Sequence, residues 1–128
     1  MRPATINQES VMPQIHPLCP REVIPENQAR GFVLETPHGD ASVFIVRRAD
    51  DIYAYYNRCP HTGVNLDWMP GRFLDITGKL IQCATHGALF RIEDGFCIHG
   101  PCVNRSLEAI PLRINDGMLE VVLQDGAD

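Results

Sequence analysis

Two short motifs contain the residues best suited to chemistry: Cys59-Pro60-His61-Thr62-Gly63 and Cys83-Ala84-Thr85-His86-Gly87. Each motif pairs one thiol with one imidazole, and both groups are good ligands for transition metals. Together the motifs predict one metal centre. Zinc loops usually separate their ligands by two or more residues, so the single residue between Cys59 and His61 is unusual for zinc. On spacing alone, a zinc site and a metal-free set of buried side chains both remain alternatives.

The composition indicates a globular protein whose thiols stay reduced. The 128 residues are 45% hydrophobic and 21% charged, which suits one domain with a substantial core. No apolar run approaches the ~20 residues of a membrane span, and the N-terminus has no secretory pattern. We therefore expect a cytoplasmic protein without a membrane span, in which cysteines favour metal ligation over disulfides. The net charge of -5 argues against nucleic-acid binding, which needs a basic face.

The scaffold around the motifs is predicted to be all-β. Strand-like runs recur about every ten residues, separated by Gly, Pro, Asn and Asp, which is typical of a sandwich or a barrel. No window has a helical period with caps at both ends. The clearest runs are Gln14–Cys19 (an edge strand limited by Pro17), Phe32–Glu35, Ala41–Arg47, Ile52–Tyr56, Leu112–Ile114 and Met118–Leu123. Asn115-Asp116-Gly117 has the turn chemistry of a hairpin between the last two runs.

The middle of the chain, from about 57 to 103, differs from this scaffold. It holds four of the five cysteines and three of the five histidines, and it is rich in Gly and Pro. Functional residues often lie in loops carried by a rigid scaffold. We predict a single domain over residues 1–128, in which residues 57–103 form a smaller, loop-rich subdomain that carries the site.

The two motifs resemble those of the Rieske family, in which two thiolates bind one iron of a [2Fe–2S] cluster and two imidazoles bind the other. Gly63, Gly87 and Gly100-Pro101 lie where that family has its loop glycines and its proline loop. The resemblance runs from about Pro17 to the C-terminus. It implies the Rieske fold, an antiparallel β-sandwich with a smaller cluster-binding subdomain. It also implies one cluster per chain, with four ligands: Cys59, His61, Cys83 and His86.

These ligand types make physical sense for such a cluster. Soft thiolates suit the inner, buried iron, and neutral imidazoles then bind the outer iron near the surface. Two ferric ions, two sulfides, two thiolates and two neutral imidazoles sum to zero charge. Adding an electron to a neutral centre is easier than adding one to a dianion, which raises the potential. Gly63 and Gly87 permit positive φ in loops that wrap the cluster, and Pro101 stiffens the third loop.

Departures from the family pattern predict a low potential. Val64 and Thr85 occupy the positions of an extra cysteine pair that braces the loops of cytochrome bc-type members. Ala88 and Phe90 stand where high-potential members have a serine and a tyrosine that donate hydrogen bonds to sulfur. We expect a midpoint potential toward the lower end of the Rieske range of about −150 to +300 mV. A redox titration giving a value near the upper end would contradict this interpretation.

Three further cysteines have no assigned ligand role. Cys97 and Cys102 flank Gly100-Pro101; we interpret them as partly buried thiols that could pair under oxidising conditions. Cys19 lies in the scaffold and is expected to be a small core residue. His99 is expected to be a solvated loop histidine.

The predicted function is one-electron transfer by a carrier similar to Rieske ferredoxins, without independent catalysis. The resemblance implies redox protein partners: a flavin reductase as donor, and an oxygenase or another oxidoreductase as acceptor. The chain has no Gly-rich nucleotide fingerprint, so a partner must supply the electrons. One alternative is the small subunit of a nitrite reductase-like oxidoreductase complex, which shares this scaffold. An alternative of another class is a non-redox Cys2His2 zinc-binding interaction module, which metal analysis would distinguish.

Overall fold

The computed structural model describes residues 13–37, 39–60, 66–67, 72–83 and 87–124. These residues contain strands and one 3-10 turn but no α-helix, as the sequence predicted. None of the described residues forms a helix long and apolar enough to cross a membrane. The strands are β1 (Pro13–Pro20), β2 (Gln28–Thr36), β3 (Gly39–Arg48), β4 (Asp51–Tyr56), β5 (Leu80–Gln82), β6 (Leu89–Arg91), β7 (Cys97–His99), β8 (Leu112–Asn115) and β9 (Met118–Gln124), with the 3-10 turn at Arg21–Val23.

The strands form three antiparallel sheets of three strands each. Their orders are β1-β9-β8, β2-β3-β4 and β5-β6-β7. The first two sheets hold the strand runs that the sequence predicted, and the third lies within the segment predicted to carry the site. The all-β fold class is confirmed.

Strand β3 joins two separate hydrophobic cores. Its four residues Val43–Val46 are all fully buried, because both faces of the strand are covered. Val43 and Ile45 pack with residues of β9, in what we call the scaffold core. Phe44 and Val46 pack with residues of the third sheet and its loops, in what we call the site core. The central sheet therefore connects the scaffold directly to the predicted site.

Local sequence signals explain the first sheet. Edge strand β1 pairs with β9, and the register shifts between Pro17 and Cys19 because proline has no N–H to donate to the ladder. Strands β8 and β9 are joined by a two-residue loop in which Asp116 and Gly117 have φ of 55° and 78°. This is the hairpin turn that the Asn-Asp-Gly sequence predicted. Cys19 is buried in the scaffold core, as expected.

Candidate metal centre

The two predicted thiol ligands lie in the same buried region. Cys59 follows β4 and Cys83 directly follows β5. Each side chain is only 1% exposed, and both belong to the site core. The predicted ligands His61 and His86 lie outside the described residues, as do Gly63, Val64 and Thr85. Among the described residues no three His, Cys, Asp or Glu side chains converge, so the four-ligand assignment stays a prediction.

The side chain of Asn57 holds the first loop in place. Asn57 is 6% exposed and lies two residues before Cys59. Its Oδ1 accepts a 2.6 Å hydrogen bond from the Leu66 backbone N–H, which closes the loop on itself. Its Nδ2 donates to Ser42 Oγ at 3.1 Å and to Asp67 Oδ1 at 3.3 Å. A buried amide therefore joins the residues on both sides of the first motif, Asn57 before it and Leu66 and Asp67 after it, and ties them to β3 through Ser42. No local sequence signal marks Asn57 as a buried residue.

The second loop is closed by its own backbone. The Cys83 N–H donates to the Ala88 carbonyl at 2.8 Å, and the Gly87 N–H donates to the Cys83 carbonyl at 3.1 Å. These bonds continue the pairing of β5 with β6. Gly87 has φ of 67°, a conformation that costs residues with a Cβ about 1–2 kcal/mol. The predicted positive φ at this glycine is confirmed.

The third loop packs against the second. Gly100 has φ of 98°, and a Cβ at this position would lie 2.8 Å from Ala88 Cα. No real side chain tolerates that distance, so only glycine allows the proline loop to approach Ala88 so closely. Val103 N–H donates to the Gly100 carbonyl at 3.2 Å, which forms a turn around Pro101. The proline loop therefore packs closely against Ala88, the residue that follows Gly87 of the second motif.

A third thiol lies beside the first predicted ligand. Cys102 is fully buried in the site core, and its Sγ lies 3.5 Å from Cys59 Sγ. Cys97 is also fully buried, but its thiol donates to the His99 carbonyl at 3.2 Å. Neither cysteine forms a disulfide, so the pairing left open by the sequence is not found. Both are more buried than expected. The proximity of Cys102 to Gly100-Pro101 was the one sequence signal for its location.

Other side chains near the site agree with the sequence predictions only in part. Ala88 and Phe90 are fully buried, and neither side chain has a hydrogen-bond donor. The low midpoint potential inferred from these two residues stays a prediction. His99 is exposed but ends strand β7 rather than lying in a loop. Arg105, which belongs to no sequence motif, donates to the Pro60 carbonyl at 3.1 Å. This bond links the first motif loop to the segment after Cys102.

The described residues fit a buried iron–sulfur cluster. Two soft sulfur ligands in an apolar core suit iron, whereas hard oxygen-seeking cations would need carboxylates. The loops that carry them are fixed by buried hydrogen bonds and a glycine of positive φ. A site of this kind excludes water from the sulfur ligands, which limits hydrolysis and unspecific oxidation of the centre.

Comparison with known families gives the class of the protein. The sequence model of the Rieske [2Fe–2S] domain matches residues 14–116. This covers most of the chain, which therefore belongs to the Rieske [2Fe–2S] domain family. Rieske domains bind a [2Fe–2S] cluster, so this cluster is the cofactor of the protein. No curated protein matches the sequence significantly.

Solved structures confirm the fold. A chain from the complex of reduced oxygenase and oxidized ferredoxin in carbazole 1,9a-dioxygenase is 20% identical, with a TM-score of 0.69 over 89% of this chain and 97% of that one. The ferredoxin of carbazole 1,9a-dioxygenase from Nocardioides aromaticivorans IC177 is 20% identical, with a TM-score of 0.60 over 83% and 96%. A Mycobacterium tuberculosis protein assigned as an NADH-dependent nitrite reductase small subunit is 22% identical, with a TM-score of 0.61 over 87% and 96%.

Proposed function

We propose that this protein is a one-electron carrier whose cluster is held by Cys59, His61, Cys83 and His86. The observation that carries the proposal is the joint burial of Cys59 and Cys83 in the site core. When bound, the [2Fe–2S] cluster supplies reversible one-electron redox chemistry. The buried Cys59 and Cys83 would hold one iron in the site core, and His61 and His86 would hold the other. The two histidines are the proposed route by which the electron reaches a partner.

The proposed partners are a flavin reductase as donor and an oxygenase as acceptor. The fold-level likeness to a dioxygenase ferredoxin and to a ferredoxin–oxygenase complex supports the acceptor. The proposed contact surface lies at the third loop. Ile98 and Val103 are both exposed there, on either side of Gly100-Pro101. Exposed apolar side chains that flank a redox centre suit a transient protein contact.

A second candidate is a small subunit fixed in a nitrite reductase-like complex. The likeness to the Mycobacterium tuberculosis protein has a TM-score of 0.61, close to the 0.60 of the Nocardioides ferredoxin. The two candidates differ in assembly rather than in the site. Size-exclusion chromatography of native extract distinguishes them, because a carrier elutes as a free small protein and a fixed subunit elutes with its complex.

The experiment that tests the proposed function is anaerobic purification followed by iron, zinc and sulfide analysis. We expect two irons and two labile sulfides per chain, and an EPR signal after reduction with dithionite. Cys59→Ser and Cys83→Ser are expected to lose the cluster. Cys19→Ser is the matched control, because Cys19 is also buried but belongs to the scaffold core. A colourless protein with zinc and no sulfide would instead support the zinc-binding module.

A further inference from the structure

The thiol of Cys102 lies within hydrogen-bond distance of the sulfur of Cys59, a proposed ligand of the cluster. The two sulfur atoms are 3.5 Å apart in the site core, a distance at which one thiol donates a hydrogen bond to the other sulfur. A cysteine that binds iron is a thiolate and has no proton to donate. If Cys59 is a ligand, Cys102 must therefore be the donor.

The backbone holds Cys102 in this position. The Arg105 N–H donates to the Cys102 carbonyl at 2.8 Å, within the turn that begins at Gly100. Gly100 itself is packed against Ala88 of the second loop. Arg105 also reaches back to the Pro60 carbonyl, next to Cys59. The third loop thus presents the Cys102 thiol to the first loop from a restrained position.

We propose that Cys102 is a positioning residue whose thiol donates a hydrogen bond to the Cys59 sulfur and raises the midpoint potential of the centre. This inference rests on the proposed role of Cys59 as a ligand. On reduction one ferric ion becomes ferrous by accepting one electron from the donor protein, and no bond forms or breaks. The charge of the centre changes from zero to one negative charge. A hydrogen bond to a ligand sulfur stabilises the more negative state, so it favours reduction.

The hydrogen bond from Cys102 compensates in part for two side-chain donors that high-potential members have and this chain lacks. Ala88 and Phe90 offer no side-chain donor. The Cys102 thiol supplies a weak donor from the third loop instead. Its effect is expected to be modest, and its removal should lower the potential within the low part of the Rieske range rather than abolish electron transfer.

The test is a spectroscopic redox titration of four cluster-loaded proteins: the wild type, Cys102→Ala, Cys102→Ser and Cys97→Ala. Cys97 is the matched control, because it is an equally buried thiol of the same core that donates to a backbone carbonyl. We expect Cys102→Ala to lower the midpoint potential by up to about 59 mV, the one-electron equivalent of a tenfold change in equilibrium constant. Cys102→Ser, whose hydroxyl remains a donor, should have a potential equal to or above that of the wild type.

The possible outcomes separate this inference from the proposed function. If Cys102→Ala and Cys97→Ala have the same potential as the wild type, the hydrogen bond does not tune the centre and the inference is overturned. If both Cys102 variants fail to hold a cluster while Cys97→Ala holds one, Cys102 has a packing role and the inference is also overturned. If the wild type itself contains no iron and sulfide, the proposed function fails, and this inference fails with it.

Discussion

A single buried amide, Asn57, organises the loop that carries Cys59. An asparagine directly after a strand is an ordinary turn residue in a sequence, and nothing in its neighbours indicates burial. The structure instead makes it the centre of three side-chain hydrogen bonds. The partners come from strand β3 and from the far side of the loop, so they are separated along the chain. Local sequence patterns do not reveal such a residue.

Replacing Asn57 with alanine should destabilise the first loop. The variant leaves the Leu66 N–H without its buried acceptor, and a lost buried partner costs about 1–3 kcal/mol. We expect a lower urea midpoint of unfolding and faster release of iron to a chelator. Ser42→Ala is the matched control, because it removes only the hydrogen bond from Asn57 Nδ2 and should cost about 0.5–1.5 kcal/mol. Equal stability of Asn57→Ala and the wild type would show that Asn57 does not hold the loop.

At the scale of the elements, the site is built by three loops that hold one another. The first is fixed to β3 by Asn57, the second closes on itself after β5, and the third packs on the second through Gly100 and Ala88. The family resemblance predicted these loops. The contacts between them join residues that are distant in the chain, so they are not evident from the sequence. The short strands β5, β6 and β7 were also not individually predicted, because three residues are too few to show a period.

The close approach of the third loop makes Gly100 intolerant of any side chain. Gly100→Ala introduces a Cβ that meets Ala88 and also forces alanine to a φ of 98°. The left-handed backbone costs about 1–2 kcal/mol and the overpacking about 1–3 kcal/mol more. We expect cluster loss at a lower temperature, measured by the visible absorption of the bound centre.

Gly39 provides the control for this substitution. It has a similar φ of 109°, but a Cβ there would meet no atom within 4 Å. Gly39→Ala should therefore show only the backbone cost and leave the retention of the cluster nearly unchanged. If both alanine variants lose the cluster equally, the contact with Ala88 does not matter.

At the scale of the whole molecule, Tyr55 connects the central sheet to the site core. It lies on β4, is almost fully buried, and donates to the Ile92 carbonyl at 2.6 Å. Burial is the main cause that raises the pKa of Tyr55 above its ordinary value, and the nearby charges of Asp94 and Glu93 add to this. The phenol therefore stays protonated in the folded protein at a pH where it ionises in the unfolded chain.

This shift predicts how stability changes with pH. Because the pKa of Tyr55 is raised in the folded state, the folded protein holds this proton at a pH where the unfolded chain loses it. The contribution of Tyr55 to the free energy of unfolding is therefore complete below pH 10 and decreases above it. The slope for one group is about 1.4 kcal/mol per pH unit. Tyr55→Phe should lower stability at pH 7 by about 0.5–1.5 kcal/mol and also reduce the slope above pH 10. Urea unfolding at several pH values measures both, and an unchanged slope in the variant would contradict this account.

The sequence predicted the strands and the fold class well, and the interior of the molecule less well. The runs from 14 to 56 and from 112 to 123 carry enough β-branched and aromatic residues, bounded by turns, to be recognised. The connection of two cores through β3 was not evident, because a fully apolar run such as Val43–Val46 is equally compatible with several kinds of buried strand. The same limit applies to Cys102, whose neighbour Cys59 is distant in the chain. The single-domain boundary stays a prediction.

The most direct test of the central claim is pulsed EPR of the dithionite-reduced protein labelled with ¹⁵N-histidine. We predict couplings from two histidine nitrogens bound to one iron. One of the two should disappear in a variant of His61 and the other in a variant of His86, whereas His16→Gln should keep both. A reduced spectrum without histidine couplings, or couplings that persist in both ligand variants, would contradict the assignment of the centre.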